Sequence, residues 1–327
     1  MKNIFKMDVI NYEVEENNRL KMRFVKDYNL PINLFDNDLW EYYMKLYDFF
    51  PTDTWHKLIK TIESDFDGNV EKWLDYCAQV RDSIIFSILE SPEYKEFNNM
   101  DLKAYNLDKK FEEKNLFIET SDGHRFISID LKKANFQALK YIGILSNETY
   151  EDFVAVHGGD DYISNSKYLR QVVFGKLNPS RQIKVEKYLI NQIHNLISDK
   201  LREHGFGLYS FHSDEVIYYG EDASANPEHI INEIPDLVKE KLNLEVRADY
   251  IEVSKIPIVN YRGNSIDAYE RFNIITGESC LKKVSTLFFP QVYKLWKGKS
   301  ITDEDLYFYA ENQRAKFVNP LKYIELV

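Results

Sequence analysis

The sequence predicts an α+β fold in which a split βαββαβ sheet follows a helical N-terminal region. Apolar residues recur at helical spacing up to about residue 115, whereas short apolar runs alternate with helical stretches after it. The later elements read strand, helix, helix, strand, strand, helix, strand, an order that contains βαββαβ. Apolar residues make up 44% of the 327 positions and aromatic residues 15%, which indicates a globular chain.

The N-terminal region, residues 1–115, is predicted to be mostly helical. Residues 39–50 carry apolar side chains at helical spacing and end before a proline, and the pattern continues over 53–62 and 70–89. The aromatic residues in these stretches are expected to pack in the core.

The sheet region, residues 116–255, begins with a predicted hairpin that turns at Asp122-Gly123. Its further elements are expected at 131–143 (helix), 180–204 (helix ended by Gly205), 206–211 and 216–219 (strands), 226–242 (helix opened by Asn226-Pro227) and 244–253 (strand). Because a split βαββαβ sheet places its first strand beside the central hairpin, Asp130 and Asp214 should share one edge of the sheet.

The pattern loosens in residues 256–327, where a terminal helix is expected to open at Thr302 with acidic residues in its first turn. We therefore divide the chain into 1–115, 116–255 and 256–327, with a small insertion in the middle part at about 158–204.

Composition limits the kind of protein. The net charge of −11 argues against nonspecific coating of nucleic acid, but residues 167–202 carry eight basic against two acidic residues and form a candidate anion-binding face, with a solvated helix face as the alternative. No apolar run could span a membrane, the N-terminus lacks a signal-peptide core, and Cys77 and Cys280 have no metal-type spacing. A cytoplasmic protein with no membrane partner is expected.

Two acidic motifs mark the candidate site. Asp130 ends the apolar run Phe126-Ile-Ser-Ile, and Asp214-Glu215 follow the strand that ends at Phe211. An Asp at the end of a strand is rigid yet reaches solvent, as a ligand for Mg²⁺ or Mn²⁺ must. If the two strands are neighbours, their carboxylates could hold two ions roughly 3.5–4 Å apart.

These motifs resemble those of nucleic-acid polymerases. Ile127-Ser-Ile-Asp130-Leu-Lys-Lys-Ala-Asn135-Phe is similar to motif A of family A polymerases, and Phe211-His-Ser-Asp214-Glu resembles motif C and the reverse-transcriptase Tyr-x-Asp-Asp turn. Arg170-Gln-Val-Val-Phe-Gly175, which lies between them, is similar to the fingers-helix motif B. The three motifs occur in the family's order and cover about a third of the chain.

The resemblance implies a right-hand polymerase-like fold with a palm sheet, small fingers and thumb-like parts, and two-metal nucleotidyl transfer on a primed template. Asp130 and Asp214 would hold the metal, with Glu215 as a further catalytic acid. The implied nucleotide-binding residues are Lys167, Arg170, Phe174, Lys176 and Asn135, and the implied nucleic-acid-binding residues are Arg181, Lys184, Lys187 and His212. The implied partners are nucleoside triphosphates, a primer and a template. The resemblance also leaves room for protein partners from replication or transcription.

Three departures from the family pattern stand out. Ser213 is inserted before the second Asp, Asn178-Pro179 stands where Tyr-Gly is expected, and Asn135 replaces the sugar-selecting Glu. The choice between ribo- and deoxyribonucleotides therefore stays open. Two alternatives also stay open: a catalytically silent palm-like module that binds nucleic acid or a protein, and a two-metal nuclease built on the same acids.

Overall fold

The computed structural model describes residues 5–6, 16–107, 109–220, 227–310 and 313–324. Their fold is α+β, as predicted, with helices packed around a six-stranded antiparallel sheet. Part of the predicted N-terminal region (1–4 and 7–15) and Asn226, the predicted start of a helix, lie outside the described residues.

The predicted N-terminal helices are confirmed, with ends that differ by a few residues. A two-residue strand is followed by five helices: β1 (Phe5–Lys6), α1 (Glu16–Tyr28), α2 (Asn37–Leu46), α3 (Thr52–Asp65), α4 (Val70–Glu90) and α5 (Pro92–Asn99). The side chain of Asn69 caps α4 by accepting from the Lys72 backbone N–H, which satisfies a donor that the helix itself leaves free. The aromatic residues Trp40, Tyr43 and Trp73 are buried, as expected of core residues.

The middle of the chain supplies four strands and the helices between them. These elements are β2 (His124–Leu131), α6 (Ala134–Tyr141), α7 (Tyr150–Val156), α8 (Asp161–Asn165), α9 (Lys167–Gly175), α10 (Pro179–Glu203), β3 (Phe206–Phe211), β4 (Glu215–Gly220), α11 (Glu228–Leu242) and β5 (Val246–Lys255). Gly205 follows α10 with φ +83°, the left-handed conformation that lets a chain leave a helix and that glycine adopts without strain.

The C-terminal part contributes to the sheet as well. It contains β6 (Ile258–Val259), β7 (Tyr269–Asn273), β8 (Ser279–Lys282), α12 (Phe289–Trp296), β9 (Tyr307–Ala310), β10 (Gln313–Phe317) and β11 (Lys322–Tyr323). The sheet order is β3-β4-β2-β5-β7-β8, and all neighbouring strands are antiparallel. Its first four strands have the split βαββαβ arrangement. Strands β7 and β8 extend the sheet, although they come from the region predicted to be a separate thumb-like part.

The two faces of the sheet differ. On β2, Ile127, Ile129 and Leu131 belong to the main core, which also contains apolar side chains of α6, α10 and α11. The alternate residues of a strand point to the opposite face, which here carries Phe126 and Asp130. Apolar packing on that second face is limited to a small cluster, so the face is left accessible to a ligand beside Asp130.

The hairpin predicted for residues 115–130 is wrong. Only its second half is a strand, because residues Glu119–Ser121 form a 3₁₀ turn and Leu116 packs onto the sheet instead of pairing within it. The Asp122 side chain accepts a hydrogen bond from the Lys255 backbone N–H at 2.7 Å, so the Asp-Gly turn is fixed against β5 rather than closing a hairpin.

The terminal helix predicted at Thr302 is also wrong. The segment makes one 3₁₀ turn, Glu304–Leu306, and continues as β9. Strand β9 pairs with β10, and β10 pairs on its other side with β1. Asp305 is fully buried in an ion pair with Lys294 at 2.7 Å, and Tyr-Phe-Tyr from Tyr307 favours an extended chain. Among the described residues, no helix is both long and apolar enough to cross a membrane.

Candidate functional site

Asp130 lies at the end of β2, between two charged neighbours. Its Cα partner on β4 is Glu215 and its partner on β5 is Arg247. The Leu131 N–H donates to the backbone oxygen of Asp214 at 2.7 Å. Directly opposite residues of an antiparallel pair have Cβ atoms about 4.5–5.5 Å apart. The fold therefore brings Asp130, Asp214 and Glu215 together, with Glu215 in the position directly opposite Asp130.

The turn between β3 and β4 holds the second and third acids. It is closed by a hydrogen bond from the His212 backbone N–H to the backbone carbonyl oxygen of Glu215 at 2.8 Å. The His212 Nε2 lies 2.9 Å from Ser210 Oγ, and the Ser128 hydroxyl donates to Glu215 Oε1. Asp214 is exposed at the tip of the turn. Glu215 is thus fixed by a neighbour on β2, whereas the Asp214 side chain is exposed to solvent and, among the described residues, accepts only from the adjacent Ser213 hydroxyl, at 3.4 Å.

The surroundings of Asp130 perturb its pKa. Burial raises the pKa of Asp130 to about 6, and the carboxylates of Glu215, Asp214 and Asp249 add to this rise, while Arg247 opposes it. Burial and like charges disfavour the ionised form of a carboxyl group, and a cation bound beside the group stabilises that ionised form. The electrostatics of the site therefore favour a cationic ligand.

The acids have the donor chemistry that Mg²⁺ prefers. Carboxylate oxygens on two strands suit a hard cation, and Asp214 is accessible to solvent. Across the described residues, however, no three His, Cys, Asp or Glu side chains are already arranged to hold a metal ion. Since like-charged carboxylates repel one another, the ion itself would have to draw Asp130 and Asp214 into a common coordination sphere.

Two acidic residues near this site were not predicted to belong to it. Asp249 on β5 is buried on the same face as Asp130, and Glu186 on α10 accepts a hydrogen bond from Asn135 Nδ2 at 2.6 Å. Burial raises the pKa of Glu186 to about 7; the Asn135 amide opposes this rise and Asp214 adds to it. The period-two pattern of β5 could have placed Asp249 on the face of Asp130, but nothing local to α10 marks Glu186.

Replacing Glu186 by Gln should stabilise the metal-free protein above neutral pH. A raised pKa means that folding favours the protonated carboxyl, so wild-type stability falls as pH rises from about 4.5 to about 7. The gain in unfolding free energy of Glu186→Gln over wild type should grow by up to about 3 kcal/mol across that window. Denaturant unfolding at pH 4.5 and pH 8 in EDTA would measure it. A difference that does not change with pH would contradict the prediction.

A broad cleft of about 1140 Å³ lies over this face of the sheet and includes Asp130 and Glu215 in its wall. Basic side chains from several elements line it, together with the aromatic rings of Phe117 and Trp296. These basic residues are Lys114, Arg247, Arg271, Lys282, Lys283 and Lys297. Asp48, Glu270 and Glu278 line the cleft as well, so its wall carries both signs of charge, and the six basic side chains are the groups that it offers to a polyanion.

The predicted nucleotide-binding residues of α9 lie away from this cleft. The Arg170 guanidinium lies 5.8 Å from the ring centre of Tyr150, and Phe174 is buried in the core with the same tyrosine. Phe174 therefore offers no surface to a base pair, because the core already covers its ring. Lys167 and Lys176 are exposed near the ends of α9, and neither lines the cleft.

The predicted nucleic-acid-binding residues divide into two groups. Arg181 donates to the backbone oxygens of Phe97 and Met100 at 2.5 and 2.6 Å, so it satisfies carbonyls at the end of α5. Lys184, one turn further along α10, is half-buried. Lys187 and His212, in contrast, line a smaller pocket that also includes Asp214. Lys187 forms an ion pair with Glu113 at 2.7 Å there.

Comparison with known proteins gives no guide to the site's role, since no protein-family profile matches the chain and no curated protein matches its sequence.

Proposed function

We propose that this protein is a template-directed nucleotidyltransferase, a small DNA or RNA polymerase or a primase-like enzyme. One observation carries the proposal. Asp130 is paired with Glu215 and adjoins Asp214 at one edge of a βαββαβ sheet, on the face that the helices leave open. The cleft over that face is wide and bordered by cations, which suits a nucleic acid and a nucleoside triphosphate.

Each residue of the site has a proposed task. Asp130 and Asp214 would hold Mg²⁺ or Mn²⁺, which when bound supplies Lewis-acid stabilisation of the charge on the transferred phosphoryl group. Glu215, fixed by Ser128, adds negative charge that favours cation binding. His212 keeps the turn closed and so positions Asp214.

The described cysteines, Cys77 and Cys280, are both free, which fits a proposed cytoplasmic location. Nucleic acid and nucleoside triphosphates are the proposed partners. Asn135 stands at the position implied to select the sugar, and its amide nitrogen donates to Glu186. The proposal therefore assigns no preference between ribo- and deoxyribonucleotides.

Incubation of the protein with Mg²⁺ or Mn²⁺, labelled nucleotides and a primed DNA or RNA template tests the proposal. We expect extension products that require the divalent cation and disappear with EDTA. Shortening of the labelled primer in place of extension would favour the two-metal nuclease. Absence of both reactions, with no Mg²⁺-dependent rise in thermal stability, would favour the silent module.

A further inference from the structure

The buried carboxylate of Asp249 holds two arginines that line the cleft. Asp249 on β5 accepts hydrogen bonds from Arg271 Nη2 at 2.6 Å and from Asn273 Nδ2 at 3.1 Å. Its Oδ2 also lies 3.0 Å from Arg247 Nε. Both arginines line the cleft that contains Asp130. Asp249 thus fixes two guanidinium groups on neighbouring strands next to the candidate catalytic acids.

One carboxylate pairs with both guanidinium groups. Asp249 supplies a single negative charge to Arg247 and Arg271, and Asp130, the Cα partner of Arg247, adds negative charge beside Arg247 when it is ionised. Within the described part of the chain, Asp249 is the one carboxylate that forms an ion pair with Arg247 or Arg271. Each guanidinium has five N–H donors and commits one nitrogen to Asp249, so donors remain for a ligand.

We propose that Arg247 and Arg271, positioned by Asp249, are a phosphate-binding pair. The inference rests on the proposed function and adds the residues that receive the phosphates. Arginine suits this task because its planar fork matches two phosphate oxygens. The strand register places Arg247 directly opposite Asp130, so a phosphate bound there lies next to the acids. That phosphate belongs either to a nucleoside triphosphate or to the backbone of a nucleic acid.

Binding in EDTA tests this pair without any metal-dependent activity. A labelled nucleoside triphosphate and a labelled single-stranded oligonucleotide are titrated separately with wild type, Arg247→Gln and Arg271→Gln. Each variant should weaken binding about tenfold, because hydrogen bonds to charged groups are lost. Arg262→Gln is the matched control, since Arg262 is exposed in a loop and does not line the cleft. It should bind like wild type.

The two titrations identify the source of the phosphate. A loss confined to the triphosphate assigns the pair to the nucleotide. A loss confined to the oligonucleotide assigns the pair to the nucleic-acid backbone. In that case the slope of log affinity against log salt concentration should also fall in magnitude by about one, because one phosphate contact is lost. Unchanged binding of both ligands by both variants overturns the inference, even if primer extension is observed. If the arginine variants lose phosphate binding and the wild-type protein shows no primer extension, the inference stands and the proposed function is contradicted.

Asp249→Asn separates a positioned pair from a diffuse positive surface. The substitution makes the cleft more positive, so a diffuse surface would bind both ligands more tightly. A positioned pair loses its anchor, and affinity should fall about tenfold as in the arginine variants. Tighter binding by a folded Asp249→Asn protein, as judged by circular dichroism, would overturn the positioning role.

Discussion

Asp130→Asn and Asp214→Asn should each abolish divalent-dependent primer extension while leaving the fold intact. Losing a charged metal ligand withdraws several kcal/mol of transition-state stabilisation, which corresponds to a loss of roughly a thousandfold or more in rate. The measurement is the initial rate of extension on a primed template at saturating Mg²⁺, with thermal unfolding of each variant recorded alongside.

Stability distinguishes a lost ligand from a damaged fold. Because burial and neighbouring acids raise the pKa of Asp130 to about 6, its ionised form is disfavoured by the fold. A neutral asparagine there should preserve or raise the melting temperature in EDTA. Asp236→Asn is the control, since Asp236 is exposed on α11 outside the cleft, and its activity should match wild type. Wild-type rates in Asp214→Asn would refute a catalytic role for that acid.

Local patterns in the sequence were sufficient to predict the order of the first four strands of the sheet and the adjacency of the two acidic motifs, but not the addition of β7 and β8. Alternating and helical periodicities mark β2, α10, β3 and β5 within a few residues. Once that order is known, the short turn between β3 and β4 and the antiparallel pairing with β2 follow from chain connectivity. The acids meet because each lies next to an end of one of these paired strands.

Contacts between distant segments could not be predicted in the same way. The link between Asp249 and Arg271 depends on β7 pairing with β5, and the sequence pattern after residue 256 was too irregular to indicate that pairing. Glu186 meets Asn135 because α10 packs against α6, and neither helix contains a local signal for this contact. The burial of Phe174 could not be predicted for a related reason, since its spacing from Arg170 says nothing about which surface the core covers.

Replacing Asp27 by Asn should strongly destabilise the protein. The Asp27 carboxylate on α1 is fully buried, and it accepts from Arg23 Nε at 2.9 Å, from the Tyr162 hydroxyl at 2.8 Å and from the Ser166 hydroxyl. An asparagine keeps the shape but leaves the Arg23 charge without its partner. Removing one member of a buried pair costs about 3–5 kcal/mol. Denaturant unfolding should show the loss as a lower midpoint with an unchanged slope.

Asp199→Asn is the matched control, because Asp199 pairs with Arg202 on α10 where both side chains are more than 70% exposed. An exposed pair is worth at most about 1 kcal/mol, so this variant should unfold almost like wild type. Tyr162 and Ser166 belong to the segment predicted to be a fingers insertion, whereas Asp27 belongs to the N-terminal helices. If Asp27→Asn costs no more than the control, this contact does not anchor that segment. A large loss would instead show that the Asp27 contacts anchor Tyr162 and Ser166, and with them the segment that carries α8 and the start of α9, to the N-terminal helices.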